Sequence, residues 1–205
     1  MVITSISKIK DNVHILMDNG QKLILRYEIF LKNGFRKGDE ITEKDIASLI
    51  RDNQLFYIKE SAFRILGRRL HSQKELERKL MQRKYDKELI SEVLLQLKEN
   101  HYLDDEKFAR EYAEEKIQKK LLGFSRIRQE LMEKGVSKEI IQEVLNEKSD
   151  NDESDNALRL AEKKLNALKG RNLDKMKLNQ RLYSFLASKG FNYEIIRNVL
   201  DKLEF

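Results

Sequence analysis

Cysteine, proline and tryptophan are all absent from this chain of 205 residues. Without cysteine there is no disulfide, no thiolate nucleophile and no thiolate-bound metal, and a reducing compartment fits. Without proline no helix interior is interrupted, which suits a chain that is mostly helix. No apolar run approaches the roughly eighteen residues that would suggest a membrane span. The N-terminus also lacks a basic start followed by an apolar run of signal-peptide length, so a soluble, cytoplasmic protein without membrane association is expected. The eight glycines form no phosphate-binding loop, and His14, His71 and His101 lie too far apart for ligand spacing. Catalysis therefore has little to stand on: no catalytic residue, metal ligand or cofactor is expected.

What the chain does have is a pattern that occurs three times. Leu76 and Leu80 precede a break at Lys84-Tyr85, then Leu89, Ile90, Val93, Leu94 and Leu97 follow. Ile127 and Leu131, Gly135-Val136, then Ile140, Ile141, Val144 and Leu145 repeat it; Leu182 and Leu186, Gly190-Phe191, then Ile195, Ile196, Val199 and Leu200 repeat it again. In each copy the anchors are four residues apart, the break comes four later, and the next apolar pair begins five after that. Such spacing predicts two short amphipathic helices and a turn per copy. Another amphipathic segment precedes each pair: Ile58, Ala62, Leu66 and Leu70; Phe108, Ala109, Tyr112, Ala113, Ile117 and Leu121; Ala157, Ala161, Leu165 and Leu168. The fold class is therefore mainly α, with three tandem three-helix repeats in an elongated array, each unit covering the apolar face of the next. Tyr102, Tyr112, Phe124 and Phe191 are placed as core residues rather than as a platform for bases.

The first fifty residues differ. Val2 to Ile9 and Val13 to Met17 alternate in part, Asp18-Asn19-Gly20 signals a tight turn, and Leu23 to Tyr27 resumes the pattern. A β-hairpin with a third strand is expected, then a loop at Asn33-Gly34 and Lys37-Gly38. Thr42, with Asp45 three residues on, predicts a short helix carrying Ile46, Leu49 and Ile50 inward. The expected domains are a small β/α module over 1–53 and three-helix repeats over 54–104, 105–149 and 150–205.

Ser72 and Glu75 read as a capping box for the second helix of the first repeat. The adjacent Asp104 and Asp105 invite a metal or acid–base reading, but a helix N-cap accounts for one of them, with Tyr102, Leu103 and Phe108 stapling the same helix to the core. Asn146 to Asn156 holds five acidic residues, Asp150, Asp152, Glu153 and Asp155 among them, and no apolar one. It is expected to be a solvated linker before a helix starting near Ala157.

Charge follows the repeat. Residues 61–87 are net +6, 88–115 net −6, 116–142 net +4, 143–156 net −5 and 157–189 net +7, an alternation hidden within the overall +6. Two arrangements satisfy it. The acidic tail of one unit pairs with the basic head of the next, or the basic halves line one face as a track for phosphates or an acidic protein groove. The candidate contact residues are Arg64, Arg68, Arg69 and Lys74; Lys116, Lys119, Lys120 and Arg126; and Lys163, Lys164, Lys169 and Arg171. A track of this kind binds single- or double-stranded DNA weakly and without regard to sequence. A general helical DNA-binding or transcription-regulatory protein is the alternative this pattern leaves open, since a helix pair with a tight turn has the outline of a helix-turn-helix.

The run Arg69-Leu70-His71-Ser72-Gln73-Lys74-Glu75-Leu76, the junction Tyr102-Leu103-Asp104-Asp105 with Phe108-Ala109, and Lys134-Gly135-Val136, set in tandem three-helix units, resemble the RecX family of bacterial regulatory proteins. The resemblance covers about residues 55 to 205. The family often has glycine before that tyrosine, where this chain has His101, and the first break, Lys84-Tyr85, has no glycine. The resemblance implies a monomeric, non-enzymatic, all-helical modulator. It would bind RecA recombinase filaments, lie along their groove, inhibit strand exchange and ATP hydrolysis, and thereby modulate DNA repair, homologous recombination and the SOS response.

Overall fold

The structure, a computed structural model, describes residues 1–168 and 174–203, without the side chains of Asp150 and Asn151. It resolves into two compact units, one of Met1–Arg69 with Leu76–Tyr102 and one of Leu70–Glu75 with Leu103–Phe205.

The first unit opens with strands β1 (Ile3–Ile9), β2 (Asn12–Met17) and β3 (Lys22–Arg26), an antiparallel sheet in that order. Alternation sets its faces: Val13, Ile15, Met17, Leu23 and Leu25 are buried, and the residues between them face outward. Helix α1 (Tyr27–Asn33) follows directly on β3 and ends at Gly34, which is left-handed at φ 67°. Tyr27, expected in the third strand, is instead the first residue of α1, and the expected loop is helical as far as Asn33. Seven residues are too few for a visible helical period, and Ile29 and Phe30 only half-bury themselves against the sheet core.

Helix α2 (Glu43–Leu66) begins with a complete capping box: Thr42 Oγ1 accepts the N–H of Asp45 at 3.1 Å, and Asp45 Oδ2 accepts the N–H of Thr42 at 3.0 Å. Two expectations are corrected here. The helix is not short, because it runs 24 residues through position 53. Ile50 is 42% exposed, while Ile46 and Leu49 complete the sheet core. The later turns of the same helix bury Ile58, Ala62 and Ile65, with Leu66 only half-buried, so one helix serves both the sheet and the first repeat. Asn53 joins the two parts, accepting the N–H of Arg26 at 2.8 Å and donating to the carbonyl of Ile24 at 3.3 Å. Helices α3 (Gln73–Met81) and α4 (Lys87–Glu99) complete that repeat, and α2 packs on α4.

In the second unit α5 (Asp105–Lys120) packs on α6 (Phe124–Glu133) and α7 (Lys138–Asn146). Helices α8 (Asp150–Leu168), α9 (Lys175–Ser188) and α10 (Tyr193–Lys202) pack mutually. The expected solvated linker is corrected: α8 begins at Asp150, and Glu153 is only 5% exposed.

The repeat is exact at its pivots. Leu76, Ile127 and Leu182 are each fully buried, as are Leu80, Leu131 and Leu186 four residues on. Eight residues after each first anchor the backbone turns left-handed, at Lys84 (φ 62°), Gly135 (φ 81°) and Gly190 (φ 91°). Two residues further, the side chains of Asp86, Ser137 and Asn192 cap the third helix of each repeat. Lys84 thus adopts without glycine the turn its counterparts make with it. His101, before Tyr102, is likewise left-handed at φ 58°.

Candidate functional site

Within the second unit, the starts of α3 and α6 are each held by residues of the repeat that follows. Ser72 Oγ accepts the N–H of Glu75 at 3.1 Å and donates to the carbonyl of Lys134 at 2.6 Å. At the equivalent place the N–H of Gly123 donates to the carbonyl of Lys189 at 3.0 Å. Lys134 and Lys189 each immediately precede the left-handed glycine of their repeat. A Cβ at Gly190 would overlap the backbone and Cβ of Arg126, so this approach requires glycine for space as well as for φ.

An acidic residue from the first turns of the following helix adds a second bond. Asp105 Oδ1 accepts the N–H of Gln73 at 2.7 Å, and Glu153 Oε1 accepts the N–H of Phe124 at 2.7 Å. Asp105 and Glu153 each lie four residues before a fully buried alanine, Ala109 and Ala157. Asp104 meanwhile caps its own helix, accepting the N–H of Lys107 at 2.9 Å. Both aspartates are therefore caps, each for a different helix, and sequence reading had assigned only one. Leu103 and Phe108 are buried as expected, but Tyr102 is 57% exposed and meets Phe63 edge-on at 4.9 Å, which corrects its placement in the core.

Beside the Ser72 joint lies a compact ionic network. Lys134 Nζ is 2.7 Å from Glu75 Oε1 and 5.0 Å above the ring of Tyr112, whose hydroxyl donates to Glu130 at 2.7 Å. Arg126 reaches Glu130 at 3.1 Å, and Lys116 Nζ lies 3.9 Å from the same carboxylate. Burial opposes the charge on Glu130, but the Tyr112 hydroxyl, Arg126 and Lys116 outweigh it and hold the carboxyl below its ordinary range. Burial, and then the bond to Glu130, push the Tyr112 phenol well above its ordinary value.

The twelve candidate cations differ in their surroundings. Lys116 and Arg126 are engaged within the fold, and Lys164 lies half-buried 5.2 Å above the ring of Phe185. Arg64 pairs with Glu60 at 3.4 Å on an open helix face. Lys74 is exposed, with its stem against Gly135, and Arg69 is exposed. Arg68, Lys119, Lys120 and Lys163 are exposed and have no ion-pair partner among the described residues. Lys169 and Arg171 lie outside the described residues. Arg64, Arg68 and Arg69 belong to the first unit, and Lys74 and the other described candidates to the second. Lys116 and Arg126 thus meet Glu130 of their own stretch, 116–142, while Lys119, Lys120 and Lys163 are exposed.

Sequence reading missed an aromatic pair. Tyr183 and Tyr193 are 41% and 62% exposed with ring centroids 6.5 Å apart, whereas Phe191 is buried and Tyr112 and Phe124 half-buried. Their positions, one after an anchor and three after a break, gave the only signal. Among the described residues no group of three or more His, Asp and Glu is arranged to hold a metal, and no helix is long and apolar enough to cross a membrane.

Three family domains match this sequence in order: RecX, first three-helix domain, over residues 59–97; RecX, second three-helix domain, over 104–145; and RecX, third three-helix domain, over 151–200. The chain belongs to the RecX family. The regulatory protein RecX of Clostridium botulinum (strain Alaska E43 / Type E3) is 34% identical over 193 residues, covering 94% of this chain and 90% of that one. The regulatory protein RecX of Clostridium perfringens (strain SM101 / Type A) is 33% identical over 204 residues, covering 98% and 95%. Among solved structures, a crystal structure of regulatory protein RecX shares the fold with a TM-score of 0.79 at 24% identity, covering 98% of each chain. RecX from Lactobacillus salivarius shares it with a TM-score of 0.67 at 24% identity, over 74% of this chain and 97% of that one. The β-containing segment precedes all three matched domains and is included in the alignment to the first of these structures.

Proposed function

We propose that this protein is a non-enzymatic regulator that binds RecA filaments assembled on DNA and lowers strand exchange and the ATP hydrolysis coupled to it. Through that inhibition it modulates homologous recombination, DNA repair and the SOS response, acting as a monomer in the cytoplasm. The observation that carries this reading is the match to all three RecX domains, in order, along one chain.

The distribution of charge supports it and suggests how binding works. Lys119 and Lys120 close α5, and Lys163 projects from α8, all open to solvent. Spread over successive repeats, such cations suit an extended polyanion better than a compact ligand, and each phosphate they neutralise releases a counterion. Binding is then steeply weakened by salt, and DNA sequence has little effect. Tying Lys116 and Arg126 to Glu130 keeps the joint in register while the outer lysines make contact.

The test is a titration of DNA-dependent ATP hydrolysis by RecA with the full-length protein. Hydrolysis is expected to fall progressively as the protein is added, with less effect at higher salt. Hydrolysis unchanged at saturating protein, with the filament intact, overturns the reading.

A further inference from the structure

The third repeat has a surface feature that the fold does not require. Tyr183 on α9 and Tyr193 at the start of α10 wall a groove of about 570 Å³, lined also by Lys175, Asn179, Gln180 and Arg197, by the carboxylate Asp201 and by two leucines of the C-terminal helix and its end. At the position of Tyr183 the other repeats carry Glu77 and Arg128, and at that of Tyr193 they carry Lys87 and Lys138. Those repeats form the same helix pair with charged residues there, so the rings are not core anchors. Leu182, Leu186 and Phe191 fill the core of this repeat, leaving both tyrosines substantially in water. Two adjacent exposed rings at one groove mark a surface built for a ligand.

Charge and hydrogen-bonding capacity define the occupant. Helix α9 carries Lys175, Lys177 and Arg181 and no acidic residue. Arg197 lies 3.8 Å from Asp201, but both are well exposed, so the pairing does little to hold the guanidinium. An apolar protein helix laid in the groove would cover Lys175, Arg197 and two side-chain amides without giving them partners. A nucleotide answers each of these groups, with a flat π-face for the tyrosines, phosphate oxygens for the cations and a base edge for Asn179 and Gln180. In a duplex the base faces are already stacked and out of reach, so the strand must be single.

We propose that the α9–α10 groove binds unpaired bases of single-stranded nucleic acid by stacking on Tyr183 and Tyr193. The proposal rests on reading the chain as one that acts on DNA within a recombinase filament, and it supplies a site that distinguishes single strands from duplex. Its test omits the recombinase, so failure of the groove to bind single strands is told apart from failure to regulate the recombinase.

Binding of the full-length protein to a fluorescein-labelled oligothymidylate and to a duplex of equal length is measured by anisotropy. Tyr183→Ala and Tyr193→Ala should each weaken single-strand binding about five- to a hundredfold, with duplex binding and melting temperature as in the wild type. Tyr183→Phe and Tyr193→Phe, which keep the ring, should bind like the wild type. Because the chain has no tryptophan, tyrosine emission gives a second readout, and quenching by oligothymidylate should be smaller in the alanine variants. Alanine variants that bind single strands unchanged, or lose duplex binding equally, overturn the proposal, as do phenylalanine variants that fail as badly as alanine.

Discussion

Asp105 Oδ1 accepts the backbone N–H of Gln73 at 2.7 Å, so a carboxylate in the first turn of one helix caps the start of another 32 residues earlier in the chain. Glu153 does the same for Phe124 across 29 residues. The first N–H groups of a helix have no partner within it, and here the following repeat supplies one. The acidic starts of α5 and α8 are therefore part of the joints between successive repeats as well as complements to their own dipoles.

Removing these caps should cost stability without affecting any metal. Asp104→Ala loses the α5 cap and should lower stability by about 0.5–2 kcal/mol. Asp105→Ala leaves the Gln73 N–H unmatched and should cost about 1 kcal/mol. Denaturant titration measures both losses, and added divalent cations or chelator should change neither. Stoichiometric metal binding abolished by either substitution would contradict the capping assignment.

The three repeats were legible in the sequence because anchors and breaks recur at fixed spacing, and helical packing needs that spacing locally. The joints were not. Glu153 sits in an acidic stretch that reads as solvated, and its partner is 29 residues away, so no local pattern reveals the bond. The continuous α2 was hidden for a different reason. Asp52-Asn53 has the composition of a boundary, yet Asn53 spends its amide on Arg26 and Ile24 of the sheet edge and lets the helix continue. The basic clusters were found by counting charge, but that Lys116 meets Glu130 depends on the packing of α5 on α6, a tertiary contact.

Left-handed residues without glycine offer a gain in stability. An L-residue in that conformation costs roughly 1–2 kcal/mol, partly offset in a glycine variant by greater unfolded-state entropy. Lys84→Gly and His101→Gly should therefore each stabilise by about 0.5–1 kcal/mol. Gly190→Ala should destabilise by more than either gain, because its Cβ would meet the Arg126 backbone. Melting temperatures compared across the three variants check the order.

The Glu130–Tyr112 pair predicts opposite behaviour at the two ends of the pH scale. The Glu130 carboxyl is depressed in the folded state, so its contribution is present above its unfolded value of 4.5 and is lost as pH falls through the lower folded value. The Tyr112 phenol is raised, so its contribution is intact below 10.0 and declines as pH rises above that value. Tyr112→Phe should reduce the alkaline loss of stability, measured by denaturant titration from neutral pH to above pH 10. An alkaline loss identical to that of the wild type would remove Tyr112 from the account.

Charge reversal separates binding from folding best at Lys119 and Lys120. They are exposed, and their structural contribution at the end of α5 is worth only about 0.3–1 kcal/mol each. Reversal at Lys163 and Lys164 should also weaken filament binding, but it removes the Lys164 contact with Phe185 and so lowers melting as well. Reversal at Arg68 and Arg69 acts in the first unit. Losses should accumulate when pairs are combined, since a ligand held at several places gains effective concentration from each.

The most direct measurement is the ATPase titration of RecA on DNA, run side by side with the wild-type protein and a Lys119→Glu, Lys120→Glu variant of equal helix content. The wild type should suppress hydrolysis progressively, and the variant should need several-fold more protein for the same suppression. Hydrolysis untouched by the wild type would contradict regulation of the recombinase, and identical curves for the two proteins would contradict the outward lysines as its means.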